Sequence, residues 1–165
     1  MTRWRRLRLG LAIAALALVL DQVTKWWIRA VVMDPPVDIE VTPFFKLVLA
    51  WNRGISFSLF RSDSPAGPWI FVAIALAVVA GLVVWLARLD RAWPAVALGL
   101  VIGGALGNVA DRIRFHAVVD FLYFHWGEYY FPAFNVADSA ISVGVALLVL
   151  DGLFGRAEKA KKAPN

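Results

Sequence analysis

The chain is 165 residues long, 61% of them hydrophobic and only 18% charged, with a mean hydropathy of +0.69. A soluble domain carries roughly 45–50% apolar and about 25% charged residues, so this composition excludes disorder and argues against a water-soluble globule. Lys+Arg 17 against Asp+Glu 12 gives a net charge of +5, and Cys is 0, which excludes a disulfide, a thiolate metal site, a cysteine nucleophile and a lipid-modified cysteine.

At the start of the chain, Trp4-Arg5-Arg6-Leu7-Arg8 precedes an apolar run from Leu9 to Leu20. This imitates a secretory signal, but Asp21-Gln22-Val23-Thr24-Lys25 and Trp26-Trp27-Ile28 stand where a small-residue cleavage site would be. The expected element is a retained membrane helix over about 9–30. In the following loop (29–66), Val37-Asp38-Ile39-Glu40-Val41 alternates apolar and acidic residues, the pattern of a half-buried strand. Phe45 to Trp51 is apolar and β-prone, and Pro35-Pro36 and Asn52-Arg53-Gly54 supply turns. A small sheet or cradle is expected in this loop, with a short interfacial helix near 55–61.

Gly67 to Ala87 is uncharged; at about 1.5 Å per residue it spans about 31 Å, the hydrocarbon core of a bilayer. Ala92 to Ala110 is likewise uncharged, and a fourth apolar stretch, 134–154, is interrupted only by Asp138 and Asp151. The expected fold is an all-α membrane protein, a bundle of four transmembrane helices in one domain over 1–156. A flexible tail over 157–165 follows it. Arg3, Arg5, Arg6 and Arg8, then Arg88 and Arg91, then Arg156, Lys159, Lys161 and Lys162 lie at the ends that share one side. The positive-inside rule therefore places both termini in the cytoplasm and the loops 29–66 and 111–133 outside. The net charge is thus a topology signal rather than a footprint of nucleic acid. Trp26, Trp27, Trp51, Trp69, Trp126, Tyr129 and Tyr130 fall near the outer interface, and Trp4, Trp85 and Trp93 near the inner one.

Polar residues within the membrane collect at one depth. Asp21, Thr24 and Lys25 share a helix face, as do Asn108, Asp111 and Arg112, while Asn135 and Asp138 open the fourth helix and Asp120 shortly precedes it. Intramembrane charges normally face a partner or a wet cavity. A structural reading pairs Asp21 with Lys25, and Asp111 with Arg112 or Asn108. Asp120 and Asp138 are then left over as a candidate dyad. Gly99, Gly103 and Gly107 form a stripe that lets helix backbones approach. Gly103 to Gly107 is no phosphate loop, since no Lys-Ser/Thr follows. His116 and His125 with Asp120 make a weak metal set. Ser139 and Ser142 suit helix hydrogen bonding better than a Ser–His dyad.

These motifs together resemble the prolipoprotein signal peptidases (signal peptidase II, aspartic peptidase family A8) over about 9–154. Asp21-Gln22-Val23-Thr24-Lys25 is similar to D-x-x-T-K. Asn52-Arg53-Gly54-Ile55-Ser56-Phe57 is similar to N-x-G-x-x-F, with Ser56 in place of the usual alanine. Gly103 through Arg112 is similar to GGAxGNxxDR, Val118-Val119-Asp120-Phe121 to VxDF, and Phe134-Asn135-Val136-Ala137-Asp138 to FNxAD. One departure is that His116-Ala117 occupies a stretch where the family commonly has glycine, altering the loop that leads to Asp120 without removing a catalytic group.

The resemblance implies an endopeptidase with Asp120 and Asp138 as catalytic pair. Asp21, Lys25, Asn52, Gly54, Asn108, Arg112 and Asn135 would support the site or position substrate. No metal or other cofactor is implied. The implied substrates are diacylglyceryl-modified bacterial prolipoproteins, cut just before the lipidated cysteine, and the implied inhibitor is globomycin. A monomer in the bacterial cell (inner) membrane, with its site near the extracytoplasmic face, completes the expectation. Two other classes fit the same composition. One is a small proton-coupled transporter using the aspartates as a relay, which would need carboxylates spread over the full depth. The other is a structural subunit whose polar clusters serve only helix assembly.

Overall fold

The computed structural model describes residues 1–54 and 66–161, with side chains as far as Phe154. The short helix expected near 55–61 lies outside the described residues, as do Ser56 and Phe57 of the N-x-G-x-x-F motif. Four helices are long and apolar enough to cross a membrane. Helix α1 spans Arg3–Trp27 and continues as a π-helical turn over Ile28–Val32. It starts earlier than its apolar core because the Thr2 hydroxyl caps it, accepting from the Arg5 N–H at 3.4 Å. Helices α2 (Gly67–Arg88) and α3 (Trp93–Phe115) each carry proline in their first turn, where no intrahelical N–H is lost. Helix α3 runs five residues beyond the uncharged stretch, because Asp111 and Arg112 find partners inside the protein. Helix α4 spans Val136–Lys161, so the backbone remains helical past residue 157, where a tail was expected to begin.

Helix α3 is central, packed between α1 and α4 through small residues. A Cβ on Gly99 or Gly103 would collide with the Gly10 or Ala14 carbonyl oxygen of α1, and one on Gly104 with the Ala137 carbonyl of α4. A Cβ on Gly107 would strike the Asp21 carboxylate. The glycine stripe thus permits close backbone contact, and its last member also makes room for a charged side chain. Leu86, Leu98 and Ile102 are almost wholly buried in the core. Leu16, Ile74, Val143 and Leu150 remain exposed on the outer faces, as a lipid-facing surface requires.

The sheet is built from both long loops, not from the first alone. Strands β1 (Ile39–Thr42) and β2 (Phe45–Asn52) lie where the sequence pattern put them. Strands β3 (Val118–Trp126) and β4 (Tyr129–Tyr130) come from the segment after α3 and complete an antiparallel sheet in the order β1-β2-β3-β4. Opposite β2, the register sets Ala50 against Asp120 and Asn52 against Val118. Phe121, Ile28 and Met33 form a second buried cluster that seats the sheet on the end of α1.

His116 closes α3 with φ 55, in the left-handed region, its N–H donating to the Arg112 carbonyl at 3.0 Å. Glycine adopts this conformation without steric cost, whereas an L side chain is strained by roughly 1–2 kcal/mol. The ring offsets part of that through an edge contact with Trp69 at 5.8 Å between centroids. His116→Gly is therefore expected to stabilise the protein by up to about 1 kcal/mol. Thermal unfolding in detergent micelles checks this: an unchanged or lower midpoint means that the Trp69 contact outweighs the strain.

Candidate active site

The polar residues of α1, α3, β2, β3 and the start of α4 converge at one end of the bundle. The opposite end is marked by Arg6 of α1 donating to the Leu89 carbonyl at 2.9 Å and by an Arg91–Asp151 ion pair at 2.5 Å. At the site end, Lys25 Nζ lies 2.9 Å from Asp21 Oδ2 and 2.9 Å from Asp111 Oδ2. All three side chains are nearly fully buried. The same ammonium donates to Asn108 Oδ1 at 3.0 Å. Gln22 completes the cluster, its amide donating to Asp111 Oδ1 at 3.0 Å and to Asp21 Oδ2 at 3.2 Å. Its oxygen accepts from Arg114 at 2.9 Å.

The i, i+4 pairing of Asp21 with Lys25 is present as expected. Asp111 does not pair with Arg112 or Asn108. It takes Lys25 of α1 at 2.9 Å instead, because Arg112 points about 100° away around the helix and the Asn108 amide is given to Asp138. Arg112 turns the other way: its guanidinium donates to the Gly54 carbonyl at 2.9 Å and to the Asn108 carbonyl at 3.4 Å, and stacks over Phe71 at 5.6 Å. Among the described residues it has no ion-pair partner.

Asp120 and Asp138 are held by asparagines. Asp120 Oδ1 accepts from the Asn135 amide at 2.7 Å, and its Oδ2 from the Asn52 amide at 3.1 Å. Asp138 Oδ1 accepts from the Asn108 amide at 2.8 Å. Asn135 and Asp138 also cap α4 reciprocally. The Asp138 N–H donates to Asn135 Oδ1 at 2.9 Å, and the Asn135 N–H to Asp138 Oδ2 at 3.3 Å. Asn135 therefore stands between the two carboxylates, touching both. It is fixed from behind because Phe134 bridges to Leu122 of β3 through backbone hydrogen bonds of 2.9 and 3.0 Å. Asn52 is oriented by a turn in which its Oδ1 accepts the Gly54 N–H at 3.0 Å. The N-x-x-D spacing before an apolar run is itself a helix-capping signature, legible in the sequence. Gln22 carries no such signal, since nothing in its local pattern distinguishes it from a surface glutamine.

Asp120 is 2% exposed. Burial, reinforced by the neighbouring charge of Asp138, pushes its carboxyl up to about 7. Asp138 is half-buried and borders two hollows. One, about 380 Å³, is bounded by Asn52, the 131–134 segment and Ser139, Ser142 and Val143 of α4. The other, about 230 Å³, lies between α2, α3 and α4 beside Phe71, Ile74 and Arg112. The Ser139 hydroxyl donates to the Asn135 carbonyl at 3.0 Å, within its own helix. His116 and His125 sit against Trp69 and Tyr123 respectively. Among the described residues, no three His, Asp or Glu side chains are grouped to hold a metal ion.

Membrane-length helices around a partly open carboxylate–asparagine cluster define a multi-pass membrane protein with hydrolytic chemistry within its reach. Comparison with known proteins is specific. Residues 13–154 match the family model described as signal peptidase (SPase) II. The chain is 47% identical over 157 residues to the lipoprotein signal peptidase of Beijerinckia indica, covering 94% of this chain and 93% of that one. It is 44% identical over 161 residues to that of Methylorubrum extorquens, covering 96% and 91%. A solved bacterial membrane enzyme at 31% identity superposes with a TM-score of 0.81 over 94% of each chain, and a second with 0.74 over 87% of this chain and 92% of that one. The chain belongs to the signal peptidase II family, and is a membrane peptidase.

Removing Lys25 would leave two carboxylates buried without a counter-charge. Lys25→Ala is expected to cost about 3–5 kcal/mol of stability, together with activity. Thermal unfolding of the purified variant checks it: melting like the parent would remove the structural half of this assignment.

Proposed function

We propose that the protein is an aspartic endopeptidase that removes signal peptides from diacylglyceryl-modified bacterial prolipoproteins, cutting just before the lipidated cysteine. The observation that carries this reading is the shared clamping of Asp120 and Asp138 by Asn135, beside one hollow between α4 and the 131–134 segment and another between α2, α3 and α4. Two neighbouring carboxylates resist double ionisation and share one proton, and the burial of Asp120 favours that residue as its carrier. Asp138 takes a proton from water as the oxygen attacks the scissile carbonyl carbon. Asp120 donates a hydrogen bond to the carbonyl oxygen as negative charge develops there. Collapse of the tetrahedral species breaks the C–N bond, and the proton held by Asp138 passes to the leaving amine. Water and peptide become acid and amine with no covalent intermediate.

Asn52 and Asn108 keep the two carboxylates oriented. Gly54 and Arg112 tie the end of β2 to α3 along the border of the cleft. Basic residues gather at the end away from the site, which supports cytoplasmic termini and a site near the extracytoplasmic face of the cell (inner) membrane. A diacylglyceryl anchor holds its cysteine near the headgroups, the depth that a site at a helix end serves. The apolar walls of the two hollows suit acyl chains and an extended peptide. By the family resemblance globomycin inhibits the enzyme, and the enzyme acts as a monomer.

A gel-shift assay on a diacylglyceryl-modified prolipoprotein tests the reading directly. Asp120→Asn and Asp138→Asn should each abolish processing, a loss of at least about 10³-fold, while the variants still insert and fold. Normal turnover by either variant would overturn the dyad, and no processing by folded parent enzyme would overturn the substrate. The parent's activity should also be pH-dependent in a defined direction. The reactive form keeps one proton on the pair, so kcat/KM should fall as pH rises through about 7. A profile flat from pH 6 to pH 9 would show that this proton is not needed.

A further inference from the structure

We infer that Asp21 and Asp111 are positioning residues, each anchoring the peptide N–H immediately before one of the two reactive aspartates, with Lys25 joining the anchors into one clamp. The inference rests on the aspartic reading above and adds how the separation of the pair is set. Asp21 Oδ1 accepts the Ala137 N–H at 2.9 Å, one residue before Asp138. Asp111 Oδ2 accepts the Val119 N–H at 3.1 Å, one residue before Asp120. Both carboxylates meet on Lys25 Nζ, each at 2.9 Å. The ammonium also donates to Asn108 Oδ1 at 3.0 Å, and the Asn108 amide reaches Asp138 Oδ1 at 2.8 Å.

The arrangement is two-sided. Asp120 enters on a strand and Asp138 on a helix, and on one side Asn135 and the Phe134–Leu122 bridge join them directly. Helices α1 and α3 add a second hold from behind, because Asp21 and Asp111 are carried on them and bound to one cation. The bonds are charge-assisted, hence short and directional, and all three side chains are almost completely buried, Asp21 at 0%, Asp111 at 1% and Lys25 at 3% exposure. Ala137 lies in the first turn of α4, where an N–H has no acceptor within the helix. Asp21 therefore satisfies a group that would otherwise be unpaired. Gly107 permits the approach, since a Cβ there would occupy the position of the Asp21 carboxylate. A misplacement of about 1 Å at a reacting group can cost roughly 10²-fold in rate, so a clamp of this kind acts on kcat rather than on substrate binding.

The test compares Asp21→Ala, Asp21→Asn, Asp111→Ala and Asp111→Asn in the full-length enzyme in micelles, with a diacylglyceryl-modified prolipoprotein as substrate and rates expressed per folded molecule. Asparagine keeps an oxygen for the N–H but no charge; alanine keeps neither. The Ala variants should lose about 100-fold in kcat and the Asn variants about 10-fold, with KM within about threefold of the parent. Equal losses in the Ala and Asn variants, a change confined to KM, or unchanged kcat per folded molecule would each overturn the clamp.

Should the Ala variants not fold, amide hydrogen exchange on the parent decides. The Ala137 and Val119 amides should be strongly protected, and rapid exchange at either would overturn the inference. Asp120→Asn and Asp138→Asn run alongside: if these turn over substrate, the aspartic reading fails and the clamp with it. If they are inactive while the Asp21 and Asp111 variants keep parental kcat, only the clamp fails.

Discussion

Lys25 is a buried ammonium with two carboxylates and an amide oxygen around it. Stranding a charge at this depth is costly, and a lone lysine would be driven out or neutralised. Three donor–acceptor contacts to α1 and α3 make its burial tolerable, and they can form only if the two helices lie close together. The glycines of α3 are the other half of that condition. Helix contact in a bilayer has little hydrophobic driving force, so close packing and polar bonds carry the association. Glycine packing and the ion triad therefore require each other. The helices approach because Gly99 and Gly103 carry no side chain, and that approach brings Asp111 to Lys25.

From this pair of helices the remaining elements are placed in turn. The Asp21 carboxylate reaches the first turn of α4 at Ala137, and the Asp111 carboxylate reaches the first residues of β3 at Val119. Phe134 then bridges β3 to the entry of α4, and the register of β3 against β2 brings Asn52 alongside Asp120. A strand and a helix are thus bound at one corner. The asparagines at that corner are oriented by local turns and caps, not by packing alone.

The apolar helices were legible because a bilayer imposes a length on any uncharged run, and α2, whose run had no polar interruption, agrees to within one residue. Strands β1 and β2 showed themselves through alternation at Val37–Val41 and an apolar run at Phe45–Trp51. Strand β3 gave no alternating signal. Its first four residues, Val118 to Phe121, are all buried, so both faces are covered and no polar periodicity is imposed. The Asp21–Lys25 contact was readable from an i, i+4 spacing. The Lys25–Asp111 contact was not, because it depends on how α1 and α3 pack, and local spacing offered Arg112 as the nearer but misdirected partner. The bonds to the Val119 and Ala137 amides leave no trace in the sequence, since any residue other than proline could supply that N–H.

Among the described residues, four carboxylates join the polar cluster at one end of the bundle, and they are treated in two ways. Asp21 and Asp111 share one ammonium, which offsets one of their two negative charges and holds their geometry by ionic hydrogen bonds. Asp120 and Asp138 accept their hydrogen bonds from asparagine amides, and the guanidinium of Arg112 borders the same hollow as Asp138 without an ion pair to it. An amide orients a carboxylate without cancelling it, so the two negative charges continue to oppose each other and a proton can be held between them. Replacing those asparagines by lysines would stabilise both carboxylates as anions and remove the proton that the proposed chemistry needs. The partition of partners, an ammonium for the two anchoring carboxylates and amides for the pair proposed to react, lets four like-charged side chains share a small volume.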